Sequence, residues 1–146
     1  MYTYKYPRPA LTVDAIVVQK HQNNWQILLI ERGIEPYKGK WALPGGFVNM
    51  DELLEDACIR ELQEETGLKI EKMTQLKAFD AINRDPRHRT ISVVFYSVLE
   101  NDQKIKAGDD AQKADWFSIE KLPDLAFDHA EIISLFIERG ILRDTI

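Results

Sequence analysis

Between Asn49 and Thr66 the chain carries a helical pattern that puts carboxylates where apolar side chains belong. With Glu61 as zero and roughly 100° per residue, Leu54 falls at about 20°, Glu65 at about 40° and Cys58 at about 60°. Glu61 and Glu65 thus continue the apolar stripe of Leu54 and Cys58. Glu64 lies beside that stripe, at about 300°, and Arg60 on the flank, at about 260°. Three carboxylates at i, i+3 and i+4 repel one another and lose hydration, a cost that calls for cations among them. Oxygen donors with no His or Cys alongside select Mg²⁺ or Mn²⁺ over Zn²⁺. A solvated acidic face with Arg60 pairing to Glu64 is the plainer account of such a run, and the apolar row argues against it.

The surrounding sequence frames that helix. Asn49 or Asp51 is placed to cap it, with Glu52 three residues after Asn49 and Gly67 just past its end. Upstream, Leu43-Pro-Gly-Gly46 reads as a loop whose glycines permit close approach and whose free carbonyl can add an oxygen ligand. Thr12 to Val18 and Trp25 to Ile30, joined by His21-Gln-Asn-Asn24, predict a hairpin. Thr74 to Phe79 and Thr90 to Leu99 predict strands, the second apolar on both faces and hence central, and Asp115 to Phe117 a short one. A last helix opens at Asp128 as cap, with Glu131 reciprocal and a broad apolar face from Ile132 to Ile137. The expected class is α/β, a mixed sheet with helices packed on its faces.

At 146 residues the chain has room for one domain, 1–146, and no repeat or linker divides it. Lys plus Arg is 19 and Asp plus Glu 24, so the net charge of −5 gives no general pull toward nucleic acid or anionic membrane. A polyanionic ligand would have to be met locally. Cys58 is the single cysteine, which excludes a disulfide-stapled scaffold. With no apolar run near the roughly 18 residues of a membrane span and no signal-like N-terminus, a cytoplasmic location is expected. Tyr2, Tyr4 and Tyr6 at strand spacing suggest a core or dimer contact. Asp14, in an apolar strand, is expected to hydrogen-bond a neighbouring loop, Trp41 to anchor that loop, and Cys58 to act as a small core hydrophobe.

Gly46, five residues, Glu52, seven residues, then Arg60-Glu61-Leu62-Gln63-Glu64-Glu65-Thr66-Gly67-Leu68 places nine defined positions in 23 residues. This pattern resembles the Nudix box, and the strand order around it resembles the Nudix fold, an α/β/α sandwich about a mixed sheet. The resemblance implies hydrolysis of a nucleoside diphosphate linked to another moiety, with Mg²⁺ or Mn²⁺. It implies Glu61, Glu64 and Glu65 as metal ligands aided by the Gly45 carbonyl, and Glu52 with Arg60 as a structural ion pair. Metals so held grip a diphosphate and activate water. The general base is left open between the box and a later loop, and a homodimer is common among such relatives.

Two further segments bear on the substrate. Asn83-Arg-Asp-Pro-Arg-His-Arg89 concentrates cations beside the presumed central strand. With the Ile-Ser-Val-Val-Phe-Tyr strand that follows, it resembles bacterial ADP-ribose pyrophosphatases and related regulators, which implies that Arg84 and Arg87 hold phosphate or ribose. A solvated basic loop is the alternative. Ala107-Gly-Asp-Asp-Ala111 and Ala114-Asp-Trp-Phe117 also resemble that subgroup. Asp109 and Asp110 are candidates for an extra metal ligand or base, with Asp110 assigned to catalysis and Asp109 to the substrate; Gly-Asp-Asp is also an ordinary turn. Arg32 and Phe79, each at a strand end, are candidates for phosphate contact and adenine stacking. In Leu125-Ala-Phe-Asp-His-Ala130, Asp128 is taken as a cap and His129 as a first-turn residue without a catalytic role. The leading expectation is Mg²⁺-dependent cleavage of ADP-ribose to AMP and ribose 5-phosphate. The alternatives are a nucleoside-triphosphate pyrophosphohydrolase of the housecleaning kind and a non-catalytic module that senses ADP-ribose. Relatives of the last kind carry a DNA-binding winged helix, for which a chain stopping at Ile146 leaves no length.

Overall fold

The computed structural model describes residues 1–105 and 111–145. Its spine is a parallel pair, β1 (Ala10–His21) and β6 (Thr90–Leu99), in register from Ala10 opposite Thr90 to Gln19 opposite Leu99. Around it the sheet runs β3-β2-β1-β6-β5, with β2 (Asn24–Arg32), β3 (Trp41–Ala42) and β5 (Thr74–Phe79) all antiparallel to their neighbours. β4 (Gly45–Phe47) pairs with β1 and β7 (Ala111–Ser118) with β2. The β1–β2 hairpin turns on Gln22 and Asn23, both at positive φ (50° and 68°), the twist-matched geometry of a two-residue turn.

Alternation along the central strands sorts side chains into two cores. Val13, Ala15 and Val17 with Val93 and Phe95 face α1 (Leu54–Thr66), which contributes Ala57, Cys58 and Leu62. Ile16 and Val18 with Val94 face α2 (His129–Glu138), which contributes Ile132, Ile133 and Phe136. The result is the expected helix–sheet–helix sandwich. A 3₁₀ turn, Ile141–Thr145, follows α2. Among the described residues no helix is long and apolar enough to cross a membrane.

Several local expectations are corrected. α1 starts at Leu54, four residues later than a cap at Asn49 implies and two later than one at Asp51, and Leu53 precedes it without a side-chain cap. Glu52 still reaches back, its Oε1 accepting the Asn49 amide at 2.8 Å, so the reciprocal half of a capping box stabilises a turn ahead of the helix. The end is as expected: Gly67 lies in the left-handed region, φ 73°, and its amide returns to the Gln63 carbonyl. The Pro-Gly-Gly segment is not a free loop, since Gly45 and Gly46 pair with Asp14 and Val13. Tyr2, Tyr4 and Tyr6 line no core, at 67%, 43% and 68% exposure.

Candidate active site

The loop that bridges β3 and β4 hangs from three different elements. The Leu43 amide donates to His129 Nδ1 on α2 at 3.0 Å, the Pro44 carbonyl accepts from Ala15 on β1 at 2.8 Å, and the Gly45 amide donates to Glu65 Oε1 on α1 at 2.7 Å. Its glycines are sterically required. A Cβ on Gly45 would enter the Val13 carbonyl and the Asp14 carboxylate, and one on Gly46 would enter the Glu61 carboxylate.

Glu61 and Glu65 therefore line a cleft of about 360 Å³ together with Asp14, Gly45 and Gly46. Burial pushes the Glu61 carboxyl above its ordinary range, against the pull of Arg60. Arg60 is the hub of the outer edge. Its Nε and one terminal nitrogen grip Glu52 at 3.0 and 2.7 Å, the other reaches Glu61 at 2.9 Å and Glu64 at 3.2 Å, and the Phe47 carbonyl is also in range. The hydrogen bonds from Arg60 hold Glu52 down at about 2. Glu64 turns outward, its side chain 58% exposed, onto the face with Asp56, Ile59 and Gln63 rather than into the cleft.

The opposite wall is cationic. An Asp-Pro turn, in which Asp85 Oδ1 accepts the Arg87 amide at 2.9 Å, sets the course of the basic loop. Arg87 pairs with Asp85 at 2.8 Å and remains partly exposed. Arg84, expected to hold phosphate or ribose, is instead almost fully buried and clamps Asp128 with two bonds, 2.9 and 2.7 Å. Burial works against its charge, but Asp128 leaves the guanidinium more firmly protonated than usual. The same clamp corrects the reading of Asp128, which caps no helix amide with its side chain. Arg32 donates from Nε to the Pro36 carbonyl at 2.7 Å and lies over Phe127, 4.9 Å from the ring centroid. Burial, then the like charge of Arg87, lowers its proton affinity.

The cleft thus brings together Glu61, Glu65, Gly45, Arg32, Arg84 and Arg87, and leaves out Glu64 and Phe79. Phe79 packs against the α2-side core from the edge strand β5, with Lys77 beside its ring, so it offers no stacking face to the cleft. Asp109 and Asp110 lie outside the described residues. Phe127, Asp14 and His129 also line the cleft, though the sequence reading assigns none of them a site role. Phe127 carries positive φ, 52°, and meets Tyr37, also at positive φ, edge to face at 4.8 Å. Asp14 accepts a short hydrogen bond from Ser92 Oγ rather than serving a loop, and its Oδ2 lies 3.7 Å from His129 Nε2. His129 is buried, which pushes its pKa down, and with Nδ1 accepting from Leu43 it is the neutral Nε2–H tautomer. The signal for both was an ionisable residue in an apolar row.

Among the described residues no three His, Cys, Asp or Glu groups already stand together at metal spacing. The donors nonetheless fit a hard divalent cation in kind. Glu61 and Glu65 are carboxylates on the buried side of the helix, the glycine backbone approaches them closely, and the imidazole that lines the cleft, His129, has its Nδ1 taken by the Leu43 amide.

Residues 8–136 match the family described as NUDIX domain. An ADP-ribose pyrophosphatase of Methanocaldococcus jannaschii is 44% identical over 128 residues, which span 88% of this chain and 73% of that protein. The ADPR responsive transcriptional repressor NtrR of Acinetobacter baylyi is 33% identical over 132 residues, 88% of this chain but only 53% of the repressor. Among solved structures, the NUDIX domain of Shewanella oneidensis NrtR complexed with ADP ribose superposes with a TM-score of 0.88 at 30% identity, covering 94% of this chain and 93% of that one. A Francisella tularensis bifunctional NMN adenylyltransferase/ADP ribose pyrophosphatase, complexed with AMP and a Mn ion, gives 0.83 at 34% identity and covers 93% of this chain and 43% of that one. With Gly46, Glu61 and Glu65 lining one cleft and the family match spanning residues 8–136, the protein belongs to the Nudix hydrolase family.

Proposed function

We propose that the chain hydrolyses ADP-ribose to AMP and ribose 5-phosphate with bound Mg²⁺ or Mn²⁺. The observation that carries this reading is one cleft with Glu61 and Glu65 on one wall and Arg32 and Arg87 on the other, in a chain 44% identical to an ADP-ribose pyrophosphatase. Carboxylates and guanidiniums facing each other across a gap suit a bound diphosphate, with the arginines on its oxygens and the carboxylates on the cations that neutralise it. The Gly45 carbonyl and Glu64 complete the proposed ligand set, Glu64 by turning in from Arg60. Metal bound there would polarise the diphosphate and lower the pKa of the attacking water. Water adds across the diphosphate: its oxygen joins one phosphorus and the bridging oxygen leaves with the other. Arg60 and Glu52 brace the loop against α1 from outside. Asp110 is proposed as an added base and Asp109 as a substrate contact. The buried Cys58 thiol, its pKa raised by burial, suits a cytoplasmic protein.

The test is product analysis with Mg²⁺ over ADP-ribose, other ADP-sugars, dinucleotides and nucleoside triphosphates, beside Glu65→Gln. Glu65-dependent AMP from ADP-ribose above all other substrates supports the reading, and preference for a triphosphate replaces it with housecleaning pyrophosphohydrolysis. Similarity to an ADPR responsive repressor favours a second reading, ADP-ribose sensing without turnover. Tight binding of ADP-ribose with no product would select it. The presence of Glu52, Arg60, Glu61, Glu64 and Glu65 together speaks for turnover.

A further inference from the structure

His129 and Leu43 lie 86 positions apart in the chain and are 4% and 2% exposed. A buried amide and a buried imidazole that find each other exclude water as a substitute partner, so losing either leaves an unsatisfied group. Leu43 is the first of three consecutive anchors: the next two, Pro44 to β1 and Gly45 to Glu65, follow immediately along the chain. The two downstream anchors fix the loop against the sheet and α1. The Leu43 bond fixes it against α2, at whose N-terminus Asp128 holds Arg84 of the cleft lining. On its far side the imidazole faces Asp14, with Nε2 3.7 Å from Oδ2.

We propose that His129 is a positioning residue for the cleft floor: its Nδ1, by accepting the Leu43 amide, sets the path of residues 43–46 and so places Gly45 against Glu65. The proposal deepens the hydrolase reading, because the backbone it positions is the one assigned to the metal. A buried imidazole at the first position of α2 would otherwise be only a core-filling ring, and the two roles separate cleanly. The Oδ1 of an Asn at this place falls near the position of Nδ1, whereas the Oε1 of a Gln falls near that of Nε2. Both variants are polar and of similar bulk.

The experiment compares His129→Asn with His129→Gln in the full chain, reading Mn²⁺ affinity by the EPR signal of free Mn²⁺, kcat and KM for ADP-ribose, and Tm. The expected result is that Gln weakens Mn²⁺ affinity and lowers kcat by about tenfold or more relative to Asn, the usual scale for a group one shell behind a ligand. KM should move less than about twofold between them. Equal losses in both variants, or Mn²⁺ affinity unchanged in both, would overturn the proposal. A second measurement needs no variant: ¹H–¹⁵N long-range NMR of the wild-type imidazoles should show one ring protonated on Nε2 alone, with the Leu43 amide strongly protected from exchange. A proton on Nδ1, or rapid exchange at Leu43, would also overturn it. Mn²⁺ affinity and tautomer are readable even in a chain that turns over no ADP-ribose, so failure here and failure of the hydrolase reading are told apart.

Discussion

The two walls of the cleft solve opposite problems. On the acidic wall, Glu61 stands half-buried beside Glu65, and burial pushes its carboxyl above its ordinary range even though Arg60 pairs with it at 2.9 Å. On the basic wall, Arg84 and Arg87 each hold a carboxylate of their own, Asp128 and Asp85, and Arg32 rests on a carbonyl and an aromatic face. The acidic wall thus carries the carboxylates to which the proposed cation is assigned. The basic wall is largely self-neutralised and shapes as much as it attracts. Two arginines three residues apart consequently do different work, Arg84 inside the protein and Arg87 at its edge.

The largest break in that contrast should come from the acidic wall. Glu65→Gln is expected to lower kcat by about two orders of magnitude or more, since a ligand on the hydrolytic side is lost. Far-UV circular dichroism should be unchanged, and a kcat within a few-fold of wild type would remove Glu65 from the site. Next comes Arg84→Ala, which strands the Asp128 carboxylate in a buried setting and should destabilise by about 3–5 kcal/mol. Calorimetry should register that as a Tm loss of about 10 °C. If instead Tm holds while KM climbs, Arg84 belongs to the substrate and not to the fold.

Arg87→Ala sharpens the distinction by doing the reverse. KM for ADP-ribose should rise several-fold with kcat nearly intact, the signature of lost ground-state binding, and Tm should barely move. Equal KM increases on nucleoside triphosphates would mean that the loop reads phosphate in general. The smallest effect lies outside the cleft, at Glu52. Its folded pKa of about 2 lies below the ordinary 4.5, so its pairing with Arg60 stabilises fully above about pH 4.5 and fades as pH falls toward 2. The Tm gap between wild type and Glu52→Gln should therefore close on acidification across that window, and a gap that widened would contradict the ion pair.

The acidic wall was legible in the sequence because its logic is local. Glu61 and Glu65 are one turn apart, and helical periodicity alone puts them with Leu54 and Cys58. The sandwich was legible for a similar reason, since alternation along Thr12 to Val18 and the two-sided apolar run of Thr90 to Leu99 demand helices on both faces. On the basic wall the arginines were named, but the burial of Arg84 was not, because its partner Asp128 lies 44 positions away and no local pattern specifies that pairing. Asp128 looked like a cap because Asp before an amphipathic helix usually is one. A buried arginine claimed its carboxylate first. Phe79 failed for a simpler reason: an aromatic at a strand end is equally suited to core and to ligand, and the edge strand β5 settled it for the core.

Gly45 and Gly46 leave no volume for a side chain between β1 and α1. In evolutionary terms the floor of this cleft is frozen: no single substitution there can be tried without displacing Asp14 or Glu61. A lineage that drifts toward another substrate must do so through the rim, at Arg32, Arg87 and Phe127, where the side chains are only partly buried. Chemistry and selectivity are thereby placed on surfaces with different rates of change, and directed evolution of new specificity should draw its hits from the rim.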